Sequence, residues 1–148
     1  MIFEIEPHIG IGAVKLGMSP KEVKNTIGSS FYCHSTETMD YYFENTLQIE
    51  YSAGLVTFIG ISFSNEYTVL FLGKNVFDIE ASLLFELFSR NEKGSHSYSS
   101  SEYLFPEQIL TLWDADEQYD KIGGEQRVIW AQVGLGSKSY LEAVNKNA

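Results

Sequence analysis

Three strand-like segments follow one another between residues 41 and 63, and this stretch constrains the fold most. Residues 41–44 and 47–51 flank an Asn-Thr dipeptide, and the second segment alternates apolar and polar side chains, which predicts a hairpin. Residues 52–54 predict a further turn, and residues 55–63 a third, more continuously apolar strand. Three strands joined by short turns predict an antiparallel meander with one side against the core.

A short helix with complete terminal signals precedes the meander. Ser19 is a good N-cap, Pro20 occupies the first helical position, and Glu22 stands three residues after the cap, as in a capping box. Gly28 is suited to end the helix. The apolar stripe consists of Val23 and Ile27.

The same order of elements recurs after residue 66. Asn75 predicts the N-cap of a second helix that ends near Arg90, with Val76, Ile79, Leu83 and Leu87 as its apolar positions. The polar, Ser-rich residues 91–101 predict a loop. Three further strands are predicted at residues 103–105, 109–113 and 127–133, and a closing helix at 138–145.

These patterns predict the α+β class, with antiparallel sheets and helices packed on one face. We expect residues 1–148 to form one domain, and one interpretation of the recurring order is a pair of half-repeats, 1–66 and 67–148, each a helix plus a three-stranded meander. When the two halves are aligned, Val56 corresponds to Arg127. The difference in residue number between matched positions increases only at predicted loops. Chance recurrence of helix and meander is the alternative explanation.

The charge balance limits the classes of partner. The chain has 20 Asp and Glu against 10 Lys and Arg, a formal net charge of −10. Such a chain repels phosphate backbones, so we expect no binding to nucleic acid or to an anionic membrane surface. Apolar residues make up 44% of the chain and aromatic residues 14%, so a folded core is expected. The charge favours a basic partner.

The chain has one cysteine, Cys33, which excludes a disulfide framework. The start of the sequence lacks a basic leader with a long apolar segment, and no apolar stretch approaches the roughly 18 residues that span a bilayer. We therefore expect a cytoplasmic protein.

Two motifs suggest ligands but fit them poorly. The glycine cluster at residues 10–17 lacks the spacing of a dinucleotide fingerprint, so we interpret it as a tight connection into the first helix. Residues 114–125 place oxygen-bearing side chains as an EF-hand loop does, yet Tyr119 stands where that loop requires glycine. A solvated acidic hairpin is the preferred interpretation, and a partner-binding acidic loop the second.

No catalytic or metal-binding pattern is present in the sequence. The histidines have no ligand spacing, and a Cys33–His34–Asp40 nucleophilic set is specified by nothing beyond the presence of the three residues. We therefore expect no enzyme activity, no metal and no cofactor. Aromatic side chains on the predicted strands supply the core, and those that face outward beside acids are typical of a protein-binding surface.

Residues 11–23, IGAVKLGMSPKEV, followed by Ile27-Gly28, resemble the opening of small bacterial helix-plus-meander modules. These modules occur in small outer-membrane assembly lipoproteins, in the beta-lactamase inhibitory protein and in immunity proteins against toxins delivered between cells, as in contact-dependent growth inhibition. Without a leader, the chain is most similar to the immunity proteins. The resemblance implies a cytoplasmic inhibitor of a basic, nuclease-type toxin.

An inhibitor of this kind would cover the active site of the toxin, and its negative charge would accelerate association. The expected contact residues are Trp113, Asp114, Asp116, Glu117, Tyr119, Asp120 and Glu125. A second, weaker patch comprises Glu37, Asp40 and Glu44. Two alternatives remain. One is a scaffold protein that binds a different partner or forms a homo-oligomer, and the other is a sensor that binds a small ligand between the two halves.

Overall fold

Two β-sheets and two helices surround one continuous apolar core, and a third helix lies outside it. The computed structural model describes residues 1–99, 101–113, 119–122 and 125–146. In chain order the elements are β1 (Ile2–Glu6), β2 (Gly10–Ile11), β3 (Val14–Lys15), α1 (Pro20–Ile27), a 3-10 turn (Ser29–Phe31), β4 (Tyr32–Ser35), β5 (Met39–Tyr42), β6 (Leu47–Ser52), β7 (Leu55–Ile61), β8 (Thr68–Phe71), β9 (Lys74–Asn75), α2 (Ala81–Asn91), β10 (Ser97–Ser99), β11 (Glu102–Phe105), β12 (Leu110–Trp113), β13 (Tyr119–Ile122), β14 (Glu125–Val128), β15 (Gln132–Gly136) and α3 (Lys138–Lys146).

The smaller sheet has the strand order β3-β2-β1-β8-β9. Strands β1 and β8 are parallel, with Phe3 opposite Val69, and the other neighbours are antiparallel. Alternate residues of β1, Phe3 and Ile5, are buried in the core, as the period of two requires. This sheet therefore joins the first strand of the chain to a strand from its second half.

The larger sheet has eight antiparallel strands in the order β10-β11-β12-β15-β7-β6-β5-β4. Strands β7 and β15 lie at its centre, with Ile59 opposite Leu135 and Gly60 opposite Gly134. One face, which we call the inner face, packs against the smaller sheet and the first two helices. The hairpin and the third strand predicted from residues 41–63 are confirmed in β5, β6 and β7.

The predicted first helix is confirmed as α1. The side-chain oxygen of Ser19 accepts a hydrogen bond from the backbone N–H of Glu22 (3.2 Å), and the Glu22 carboxylate accepts one from the N–H of Ser19 (3.1 Å). This reciprocal pair satisfies two N–H groups that the helix itself leaves free. Val23 and Ile27 are buried as the spacing predicted.

The predicted start of the second helix is wrong. Asn75 belongs to β9, where it lies opposite Leu70, and its side-chain oxygen accepts a hydrogen bond from the N–H of Phe77 (3.1 Å). The helix begins at Ala81, and its buried residues are Ala81, Leu84 and Phe88. Leu83, a predicted stripe position, is 50% exposed, because the face that α2 turns to the core runs through Ala81, Leu84 and Phe88 instead.

The second half differs from the prediction in two strands. Residues 91–101, predicted as a loop, contain β10, which pairs with β11. Residues 127–133, predicted as one strand, are divided between β14 and β15, and β14 pairs with β13 in a separate hairpin. The alignment of Val56 with Arg127 is therefore wrong, because Val56 lies in β7 of the larger sheet and Arg127 lies in β14 of the separate hairpin. Each half contributes four strands to that sheet, and the repeat itself stays a prediction.

Helix α3 corrects the expectation that all helices pack on one face. The N–H of Tyr140 donates a hydrogen bond to the Ser137 side chain (3.2 Å), which caps the helix, and the Tyr140 ring stacks on Phe58 with centroids 4.7 Å apart. Phe58 alternates with Ile59 of the core and so points to the other side of the sheet. The α+β class is confirmed. Among the described residues, no helix combines the length and apolarity needed to cross a bilayer.

Candidate functional site

The face of the larger sheet that points away from the core, which we call the outer face, carries an unusual set of side chains. Its central row runs across six strands through Tyr41, Gln48, Gly60, Gly134, Thr111 and Leu104. The neighbouring rows carry the carboxylates Glu50 and Glu102. The outer face is therefore polar in its middle, whereas the inner face is almost wholly apolar.

Two glycines make the centre of this face shallow. A Cβ at Gly60 would lie 2.6 Å from the Gln132 side chain, and a Cβ at Gly134 would overlap the Phe58 ring. Neighbouring side chains thus lie over the glycine positions. The Gln132 amide donates a hydrogen bond to the side-chain oxygen of Gln48 (3.3 Å), which links β15 to β6 across this centre.

Helix α3 covers one part of the outer face. Its Tyr140 ring lies between Phe58 of β7 and Gly136 of β15, where a Cβ would overlap the ring. Glycine at position 136 is therefore what lets the helix approach the sheet closely. The strands on either side of the helix keep their outer side chains partly accessible.

Glu50 and Glu102 are half-buried on this face, and burial raises the pKa of each carboxyl. The Thr111 hydroxyl donates a hydrogen bond to Glu102, which partly offsets that effect. Burial, then Glu102 and Glu50, raise the pKa of the Tyr140 hydroxyl, which shows that both carboxylates act on the same ring.

Neither carboxylate has a cationic partner among residues 1–99, 101–113 and 129–146. The ion pairs found there are Lys15–Glu6 and Arg90–Glu86, both at 3.9 Å and both away from this face. A half-buried carboxylate without a cation has lost part of its hydration and gained no ion pair in return. This arrangement favours an incoming cation.

Aromatic side chains lie at both ends of the face. Trp113, the last residue of β12, is 47% exposed and lies opposite Glu102 on one side and Gln132 on the other. At the far end, the rings of His34 and Tyr41 stack with centroids 4.5 Å apart. The structure thus brings Trp113, a predicted contact residue, beside Glu102, a carboxylate that the sequence did not single out.

The other predicted contact residues are placed as follows. Tyr119 and Asp120 lie on β13 and Glu125 on β14, so these positions do belong to a hairpin, with Asp120 opposite Arg127. Asp114, Asp116 and Glu117 fall outside the described residues. The hairpin begins at Tyr119.

The second predicted patch is not one surface. Glu37 and Glu44 are exposed near opposite ends of β5, whereas Asp40 is only 8% exposed. The Asp40 carboxylate accepts hydrogen bonds from the hydroxyls of Ser35 and, at 2.8 Å, Tyr51. Its role in the structure is to satisfy these hydroxyls, and it presents little area to a partner.

A cavity of about 430 Å³ lies beside Asp40, between the start of α1 and the β6–β7 turn. Its polar lining includes Thr36, Glu37 and Ser52. The imagined nucleophilic set is not assembled nearby, because the Cys33 thiol donates to the carbonyl oxygen of Phe31 (3.7 Å) and His34 stacks on Tyr41. In the described part of the chain, no three His, Cys, Asp or Glu side chains are grouped to hold a metal ion.

Glu50 and Glu102 were not among the contact residues predicted from the sequence. A signal for Glu50 was present, since it alternates with the apolar Ile49 on a predicted strand and must face away from the core. Glu102 had no such signal, because the strand was predicted to begin one residue later. Comparison of the chain with protein-family models, curated proteins and solved structures gave no significant match.

Proposed function

We propose that this chain is a cytoplasmic immunity protein that binds a basic, nuclease-type toxin and neutralises it by covering the active site. The observation that carries the proposal is the pair of half-buried carboxylates, Glu50 and Glu102, which have no cation among the described residues and share the outer face with Trp113.

Electrostatics supports this proposal at two distances. At long range, a net charge of −10 steers a basic protein and raises association above the unassisted rate of about 10⁵–10⁶ M⁻¹s⁻¹. At contact, a Lys or Arg of the partner replaces the water lost by Glu50 and Glu102 with a charge-assisted hydrogen bond. Binding then needs no catalytic residue of this chain.

The aromatic side chains supply the apolar part of such an interface. Trp and Tyr are enriched among the residues that dominate binding energy, particularly where polar neighbours exclude water from around them. Trp113 on β12 and Tyr41 on β5 lie on either side of the two central strands, with Glu50 on β6 between them and Glu102 on β11 beside Trp113. The β13–β14 hairpin carries the predicted contact residues Asp120 and Glu125.

Co-expression tests the function. The C-terminal part of the protein encoded immediately upstream in the source genome is expressed in a tractable bacterium with and without this chain, and growth is followed. We expect toxicity that this chain abolishes. A harmless neighbour, or toxicity that persists, would contradict the proposal.

Charge-matched variants test the location. Glu50→Gln with Glu102→Gln and Glu37→Gln with Glu44→Gln change the net charge equally, at the outer face and at the ends of β5. We expect the first pair to slow association with the toxin at least tenfold and the second pair to change it less than threefold.

Charge reversal at Asp120 and Glu125 is expected to weaken binding several-fold, chiefly through the association rate.

A small polar ligand is the second candidate, because the cavity beside Asp40 is within the roughly 300–1,000 Å³ range of ligand pockets. Its buried carboxylate would accept hydrogen bonds from hydroxyl or amino groups. A saturable rise in the melting temperature with a metabolite, lost in Asp40→Asn, would support this function; the same rise in that variant would exclude the cavity.

A further inference from the structure

Helix α3 and the β10–β11 hairpin enclose a partly open cavity of about 180 Å³ on the outer face. One wall consists of alternate strand residues, and the other of two residues one helical turn apart. The lining residues are Ser97, Ser99, Glu102, Leu104, Tyr140 and Val144.

The walls of this cavity combine apolar and anionic surface. Leu104, Val144 and the ring of Tyr140 supply the apolar part, and the half-buried Glu102 supplies the charge. The exposed Ser97 and Ser99 lie on the edge strand of the sheet and form the mouth. A ligand that enters from this edge passes two hydroxyls before it reaches the apolar walls.

Glu102 keeps free hydrogen-bonding capacity in this cavity. An ionised carboxylate offers about four acceptor positions, and the Thr111 hydroxyl uses one of them. No described Lys or Arg side chain forms an ion pair with it. The remaining acceptor positions, together with the two serine hydroxyls, are available to a donor that brings several N–H groups.

The size of the cavity selects the kind of occupant. A volume of about 180 Å³ is below the roughly 300–1,000 Å³ of pockets that hold whole small molecules. A single long side chain with an apolar stem and a cationic end matches both the volume and the walls. Arginine matches better than lysine, because its planar guanidinium presents five donors to a carboxylate and its neighbours.

We infer that this cavity is a socket for one arginine side chain of a basic partner, with Glu102 as the acceptor and Leu104 and Val144 against the aliphatic stem. This inference rests on the proposed function, which it deepens by naming the side chain that the outer face recognises. It separates Glu102, inside the socket, from Glu50, on the same face but outside it.

The socket is tested with n-propylguanidinium, the end group of arginine, titrated into the ¹⁵N-labelled chain. We expect saturable amide shifts at the six lining positions, with an affinity reduced at least fivefold in Glu102→Gln and unchanged within a factor of two in Glu44→Gln, which removes the same charge at an exposed position. The probe n-butylammonium tests lysine, and n-butanol tests the apolar walls alone. Tighter binding of the ammonium would overturn the choice of arginine, and equal binding of the alcohol would overturn the socket.

A variant that leaves Glu102 in place guards against loss of fold. Ser97→Phe lies on the exposed edge and blocks the mouth, so it is expected to abolish the same shifts while the rest of the spectrum stays unchanged. Shifts that persist in both Glu102→Gln and Ser97→Phe would overturn the inference.

The growth assay keeps the two proposals apart. If the chain neutralises the toxin and Glu102→Gln associates with it as fast and as tightly as the wild type, the socket is wrong and the immunity function stands. If n-propylguanidinium binds as described and the upstream protein is harmless, the socket stands and the toxin proposal is wrong.

Discussion

The ring of Phe58 lies over Gly134 of the neighbouring strand, in the space that a Cβ at position 134 would need. The same Cβ would overlap the Thr111 hydroxyl, so two side chains from different strands converge on one missing methyl group. Phe58 in turn carries the stacked ring of Tyr140. The docking of α3 therefore depends on Gly134, which leaves room for the Phe58 ring on which Tyr140 stacks.

Alanine at the two central glycines is expected to have unequal effects. Gly134→Ala should lower the free energy of unfolding by about 1–3 kcal/mol, because an aromatic ring and a strand must shift. Gly60→Ala should cost less than about 1 kcal/mol, since its Cβ meets only the flexible end of Gln132. Urea denaturation of both variants measures the difference, and equal losses would contradict this account.

Two buried tyrosines form a second matched pair. The Tyr67 hydroxyl donates to the carbonyl oxygen of Ser62 (2.6 Å) and lies 2.8 Å from the Thr46 hydroxyl, whereas the fully buried Tyr42 hydroxyl has no hydrogen-bond partner among the described residues. Tyr67→Phe should therefore cost about 1–2 kcal/mol, and Tyr42→Phe should be neutral or stabilise by up to about 1 kcal/mol. Thermal and urea unfolding at pH 7 test this. A loss in Tyr42→Phe as large as in Tyr67→Phe would show that the Tyr42 hydroxyl is bonded.

Tyr42 also predicts a loss of stability in alkali. Burial, with contributions from Asp40 and Tyr32, raises the pKa of Tyr42 to about 12, against about 10 in an unfolded chain. Between these values the unfolded state releases the proton and the folded state keeps it, so stability is complete below pH 10 and falls as the pH rises towards 12. At pH 11 we expect Tyr42→Phe to recover about 1 kcal/mol of the loss seen in the wild type between pH 9 and 11. An identical loss in both proteins would refute this origin.

The two tryptophans give separate fluorescence signals. Trp130 is 8% exposed, and its indole N–H donates to the carbonyl oxygen of Ala81 (2.8 Å), whereas Trp113 is 47% exposed. Trp113→Phe should remove the red-shifted, acrylamide-quenchable part of the emission. A partner on the outer face should shift the wild-type emission to shorter wavelength and leave that of Trp113→Phe unchanged. A shift of equal size in the variant would place the partner elsewhere.

Local signals in the sequence predicted what local contacts determine. The capping box needs only Ser19 and Glu22, three residues apart, so its prediction was complete. Asn75 could have capped a helix by the same rule. In the structure, Asn75 instead lies in β9 and pairs with Leu70 of β8. The sheet that holds these two strands also contains β1, which is distant in sequence.

The candidate site could not be predicted for a related reason. Glu50 and Glu102 lie on the same face only because β7 and β15 pair at the centre of the sheet, and no periodicity within either segment specifies that pairing. Trp113 was predicted from its place beside an acidic segment, and its acidic neighbour on the sheet, Glu102, comes from another strand. The basic partner and the anchor role of Trp113 therefore stay predictions from charge and position, whereas the placement of Glu50 and Glu102 on one face required the topology.

The central position of β15 has a consequence for synthesis of the chain. Strand β7 is apolar over most of its length, and one of its edges has no partner until residues 132–136, far along the chain from β7, have left the ribosome. An unpaired apolar edge is a template for aggregation, and pairing between distant segments is slow. A chain that stops before residue 132 should therefore accumulate as insoluble material instead of folding as a half-domain. The yield of soluble full-length protein should accordingly depend on chaperones that bind nascent chains.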